Sequence, residues 1–185
     1  MPATHPDAAF VLAFWFDRHG HEDWFGAKAE FDATVRDNFA ETHARAERSE
    51  LWQWRTTPEG RLAEIIVLDQ FSRQLFRGQA RAFASDPLAL ALAQELVARG
   101  EDDRLPLERR IFSYMPYMHS ESLAIHDEAM RLFAAPGMEE TLKFEAAHRD
   151  TLVRFGRYPM RNAALGRVST PEETAYMAER AGKMF

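Results

Sequence analysis

An all-α fold, an array of seven or eight antiparallel helices, is predicted for this chain on three observations. Apolar residues recur every three or four positions along most of its length, and no run alternates with the period of two that a half-buried strand requires. Thr57-Pro58, Asp86-Pro87 and Thr170-Pro171 repeat one helix-start signature, while Gly78, Gly100 and Gly156 stand where helices should stop. The connections are short, which makes consecutive helices antiparallel neighbours. With 185 residues, 46% of them hydrophobic and 28% charged, the chain is expected to form one domain, 1–185, with its own core. No clean internal repeat stands out at the spacing of helical solenoids.

Taken in order, Asp7 is placed to cap a short helix that turns Phe10, Val11, Phe14 and Trp15 to one side. Residues 19–23 read as a polar loop, in which His19 and His21 lack the further ligand a metal site needs. The segment 28–48 is amphipathic, with Phe31, Val35 and Phe39 four residues apart among charges. Leu51, Trp52 and Trp54 anchor a connection to Thr57 and Pro58, which open the central helix. Along that helix Leu62, Ile65, Ile66, Asp69, Arg73 and Arg77 form one stripe, apolar at its start and charged at its end. The four consecutive apolar residues 65–68 cannot all face one side, so the helix must be covered on most of its circumference and its charges need partners.

Phe83 then folds back before Asp86 and Pro87 cap the Ala- and Leu-rich segment 88–99. The segment 107–118 is a helix expected to bend or end around Pro116, with Tyr114, Met115, Tyr117 and Met118 read as core, although methionines also line adaptable pockets. Leu123, Ile125, Met130, Leu132 and Phe133 belong to a helix that stops at Pro136 and Gly137. The next runs over 139–155 to a left-handed Gly156, and a capping box of Thr170 and Glu173 opens a last helix to about Lys183.

Composition removes several function classes. A net charge of −6 disfavours a general nucleic-acid binder, which needs a basic face that displaces counterions. Zero cysteines exclude disulfides, thiolate metal sites and thiol catalysis. No run reaches the twenty or so apolar residues of a membrane span, and the apolar stretch 8–16 has no preceding Lys or Arg to make it a signal sequence, so a cytoplasmic protein is expected.

Four constellations carry potential chemistry. Asp69 and Arg73 stand four apart and can pair along the helix, with Arg77 continuing the face; this is either a salt bridge or a held carboxylate beside an anion fork. Arg149, Arg154, Arg157, Arg161 and Arg167 fall within nineteen residues that hold only one acid, Asp150. These guanidiniums either cap helix ends or bind a carboxylate or phosphate. His119 and Glu121, at a junction of helices, fit a general base and its orienting carboxylate, or a tie between helices. Glu145 and His148 have the spacing of one half of a di-metal site, but the second Glu-x-x-His is missing, so no metal is assigned and His148 is read as a pocket histidine.

Some of these residues fall in motifs that resemble those of a known family. FWF at 14–16, the Trp52, Trp54, Thr57, Pro58 region, LDQFSRQLFRG at 68–78, YMPYMHSE at 114–121, RFGRYPMRN at 154–162 and GRVST at 166–170 span nearly the whole chain. In them the chain resembles the bacterial proteins grouped as domain of unknown function 924. That resemblance implies tetratricopeptide-like superhelical packing with no established activity. It singles out Asp69, Gln70, Arg73, Arg77, His119, Glu121, Arg154, Arg157, Arg161 and Asn162 as its shared polar residues. Ser72 stands where the family's run has proline, which implies a straighter central helix here.

The expectation is that the charged end of the central helix, the His119–Glu121 junction and the arginine turn converge on one cleft for a small anionic ligand, a carboxylate or phosphate compound. Asp69, His119, Glu121 and His148 are its candidate acids and bases. Gln70, Arg73, Arg77, Arg154, Arg157, Arg161 and Asn162 are its ligand-binding residues, in a hydrolase or lyase that needs no cofactor. Two other readings compete: a tetratricopeptide-like module that clamps a peptide C-terminus, and a structural polar network without a ligand. A closed pocket, an open groove, and fully paired arginines without free volume are their respective signatures. The sequence does not speak to oligomeric state.

Overall fold

The computed structural model describes residues 3–180 and is helical throughout, with nine helices and no strand among them. α1 (Pro6–Leu12) continues into a π-helical turn, Ala13–Arg18. Its cap is His5, whose Nδ1 accepts from the Asp7 amide at 3.2 Å, because Pro6 already occupies the first helical position expected to follow Asp7. α2 (His21–Phe25) forms where the sequence suggested a loop. It has no apolar period of its own; Trp24 holds it by stacking on Trp15, ring centroids 5.5 Å apart, and by donating Nε1–H to the Trp15 carbonyl.

α3 (Ala29–Glu47) leads to a 3-10 turn, Trp52–Thr56. Only one tryptophan anchors it: Trp54 is buried, whereas Trp52 is 60% exposed. Thr57 caps α4, accepting from the Gly60 amide at 3.0 Å. α4 begins as Pro58–Ile66, widens into a π-helical turn over Val67–Phe71 and resumes as Ser72–Leu75. Leu62, Ile65, Ile66, Val67 and Leu68 are all fully buried, with α1, α3, α5 (Asp86–Ala98) and α6 (Leu107–Met118) packed around them. The helix is therefore surrounded, as four successive apolar residues require. It is continuous through Ser72 but not regular, since the π-turn inserts the wider geometry that often marks functional positions.

α6 contains Pro116 and still runs to Met118. The lost ladder bond is outweighed by burial, because every residue from Phe112 to Met118 is in the interior. α7 (Leu123–Phe133) and α8 (Glu139–Phe155) follow, and Gly156, at φ +68°, ends α8 with its amide on the Leu152 carbonyl at 2.8 Å. The capping box opens α9 (Pro171–Glu179) as expected; the extension to about Lys183 lies outside the described residues. Phe14, Trp15, Phe31, Phe39, Phe71 and Phe112 form an aromatic core at the N-terminal end, with Phe39 and Phe71 4.7 Å apart. At the opposite end α6, α7 and α8 pack in chain order.

Candidate functional site

The π-turn of α4 carries Asp69 and Gln70, and the next helical turn carries Arg73. Asp69 is buried, and the end of α6 brings His119 to it: Nδ1 of His119 is 2.7 Å from Oδ1. Gln70 donates Nε2–H to the other oxygen at 2.5 Å, and the Arg73 guanidinium lies 3.2 Å from Oδ1 and donates to the Asp69 carbonyl. Arg73 also forks onto Asp86, at 3.1 and 3.2 Å. Arg161 arrives from the 3-10 turn Pro159–Arg161, donating to the same Asp86 oxygen at 3.2 Å and to the His119 carbonyl at 2.8 Å. Its guanidinium lies over the rings of Phe83 and Tyr158, at 4.6 and 4.8 Å.

These groups set one another's protonation. Burial alone would raise the Asp69 carboxyl, but the Arg73 charge and His119 outweigh it and hold it well below the usual carboxylate range. Burial pulls His119 below its ordinary value; Asp69 opposes this and Arg73 adds to it. A neutral His119 beside an ionised Asp69 must carry its proton on Nδ1. Nε2 is then the basic nitrogen, and it has no hydrogen-bond partner among the described residues. Burial lowers Arg161 as well.

His119, Gln70, Arg73 and Arg161 form the polar end of a cavity of about 700 Å³. Its remaining wall is largely apolar and comes from four directions: Trp24 and Phe25 of α2, Phe83, Ile111, Phe112, Met115 and Met118 of α6, and Phe144 of α8 with Met160. His148 also lines it, its Nδ1 on the Phe144 carbonyl at 2.7 Å and its pKa held down to about 3 by burial. Arg77 lines the cavity too, while forking onto Asp32 of α3 at 2.7 and 2.8 Å.

The remaining expected residues do not reach the cavity. Glu121 accepts from the Tyr158 amide at 2.7 Å and from Arg167 at 2.8 and 2.9 Å, so its carboxylate ties the α6–α7 junction to the turn instead of orienting His119. Arg157 forks onto Glu173, the capping-box residue of α9, at 2.7 and 2.9 Å. Asn162 donates to Ser169 and to that same Glu173, and Arg154 pairs with Glu172 at 2.8 Å. Glu145 and His148 diverge: Glu145 is fully buried with its Oε1 2.5 Å from Nδ1 of His126.

Asp86 and His126 are polar residues that sequence reasoning missed. Asp-Pro at 86–87 reads locally as a helix start, yet no side-chain bond caps α5 and the carboxylate bridges two arginines. The one available signal was arithmetic: an arginine-rich segment with a single acid requires acids from elsewhere. A second constellation has the residue types of a serine triad. His43 Nε2 is 2.7 Å from Ser72 Oγ and its Nδ1 3.4 Å from Glu47. Ser72 is fully buried and donates its proton to the Leu68 carbonyl at 2.5 Å, so it is not poised as a nucleophile.

A family model described as a bacterial protein of unknown function (DUF924) matches residues 11–181. A solved structure of a protein of unknown function from Agrobacterium tumefaciens is 40% identical, with a TM-score of 0.88 over 93% of this chain and 97% of that one. Among curated proteins, none matches.

Proposed function

We propose that this chain, which belongs to the DUF924 family, binds a small carboxylate or phosphate compound in the cavity and acts on it as a cofactor-free hydrolase or lyase. The observation that carries this reading is that His119, in the wall of a cavity that Arg73 and Arg161 also line, is held at 2.7 Å by Asp69, which is buried and does not itself line the cavity. Asp69 holds the imidazole in the Nδ1–H tautomer. Nε2 takes a proton from an attacking water, or from carbon next to a carbonyl, and returns it to the leaving group. Arg73 and Arg161, fixed in advance by Asp86, face the negative charge that develops on the substrate oxygen. Every arginine of the shared motifs has an acidic partner, as a purely structural network would have, but the free volume beside Arg73 and Arg161 favours a ligand.

Tetratricopeptide-like packing is a further part of this reading, supported by the chain-order stacking of α6, α7 and α8. So are a single domain and a cytoplasmic location; among the described residues no helix is long and apolar enough to cross a membrane.

The test is turnover of carboxylic esters, phosphate esters and β-elimination substrates by wild type and His119→Asn, with melting temperatures measured in parallel. The variant should lose roughly 10²–10⁴ in kcat/KM, the usual contribution of a general base. The acid limb of the wild-type profile should have its midpoint below 6.5, because burial lowers His119. Turnover indifferent to the substitution would overturn the proposal. So would thermal stabilisation by peptide C-termini alone, which would point to the binding module.

A further inference from the structure

Charge at the polar end of the cavity is balanced. Arg73 and Arg161 face Asp69 and Asp86, each joined to an acid, and Arg77 is committed to Asp32. The other charged wall residues, Glu108 and Glu140, are acidic. A phosphate monoester carries about −1.5 to −2 at neutral pH, and nothing here supplies the surplus positive charge that would replace its water. A carbonyl or single carboxylate asks for less: N–H groups of Arg73 and Arg161, and at most one proton on His119. The rest of the wall is mostly apolar, with Trp24, Phe25, Ile111, Phe112, Met115 and Met118, and it also holds the neutral polar groups of Gln74 and Thr141. Phe144 and Met160, each 46% exposed, continue that surface. Unbranched methionines adapt to varied shapes.

Resting on the reading above, we infer that the cavity selects an amphipathic carbonyl compound: an alkyl or aryl body in the apolar trough and one neutral or monoanionic carbonyl head at His119, Arg73 and Arg161. At about 700 Å³ the space suits a body of medium length, since ligand pockets span about 300–1,000 Å³.

Isothermal titration of wild type, His119→Asn and Ile111→Asp with straight-chain alkanoates from butanoate to decanoate, and with alkyl phosphates of the same lengths, decides it. The dissociation constant of the alkanoates should fall about fourfold per added methylene. Each alkanoate should bind at least about tenfold tighter than its phosphate counterpart. His119→Asn should keep the chain-length response, and Ile111→Asp, which sets a charge in the trough, should erase it. Should Ile111→Asp fail to fold, the wild-type series still decides. Equal or tighter binding of alkyl phosphates, or affinity flat with chain length, overturns the inference. The two claims fail separately. Alkanoate binding as described without turnover of any ester leaves the ligand class standing and removes the general base; turnover confined to phosphate esters does the reverse.

Discussion

Asp69 and Ser72 lie three residues apart on α4, and each meets a histidine at 2.7 Å, His119 in one case and His43 in the other. By residue type the second cluster looks more like catalytic machinery, since it joins a serine, a histidine and Glu47. Access reverses that ranking. Ser72 and His43 are sealed in the core, the hydroxyl proton is committed to Leu68, and burial pulls His43 below its ordinary pKa. His119 is in a cavity wall with one ring nitrogen uncommitted. A histidine held by polar neighbours is sealed in one place and open to a cavity in the other, and only the second can meet a ligand.

Four substitutions or titrations, beyond the loss of turnover expected of His119→Asn, test this contrast. The largest stability effect belongs to Asp86→Ala, which leaves Arg73 and Arg161 facing each other without their shared acid. Breaking such a partly buried network costs roughly 3–5 kcal/mol, so chemical denaturation should show a loss of that order. A loss below about 1 kcal/mol would mean that the arginines are free to reorganise around a ligand.

Acid titration comes next. His43, His119 and His148 are all held below their ordinary values chiefly by burial, His148 to about 3. Between pH 6.5 and that value the unfolded chain binds protons that the folded chain refuses, so stability rises with pH across the window and is lost as pH falls. Each histidine contributes a slope of about 1.4 kcal/mol per pH unit in its window. Replacing His148 with Gln should flatten the melting-temperature profile between pH 6 and pH 4; an unchanged slope would show that His148 titrates normally. Lower still, Asp69, Glu121 and Glu173, all depressed by their partners, lose their contribution only as pH falls below about 4.

Ser72→Ala separates the two clusters directly. Loss of its bonds to Leu68 and His43 should cost roughly 1–3 kcal/mol by denaturation, with kcat/KM on any substrate unchanged. A drop in kcat/KM instead would promote the sealed cluster to a functional one. The smallest effect is expected for Arg154→Ala, whose ion pair with Glu172 is half exposed: less than about 1 kcal/mol, within the usual range of surface pairs.

What could be read without the structure was local. The Thr57 cap, the Thr170–Glu173 capping box, the left-handed Gly156 and the Asp69–Arg73 pair all depend on groups within four residues of each other, so helical geometry alone brings them together. The enclosure of α4 was legible too, since four adjacent apolar residues leave a helix no solvent face. The choice of partner was not legible. Arg161 finds Asp86 across seventy-five residues and Asp69 finds His119 across fifty, while Glu121, next but one to His119, turns to Arg167.

Local sequence is enough for an all-helical chain and for an arginine-rich segment that must find its acids elsewhere. Tertiary structure decided which polar residues face open volume and which lock together, because a side chain's environment depends on the elements folded against it from distant parts of the chain. Asp86 shows this most plainly: its neighbours in sequence mark a helix start, and its neighbours in space are two arginines of the cavity wall.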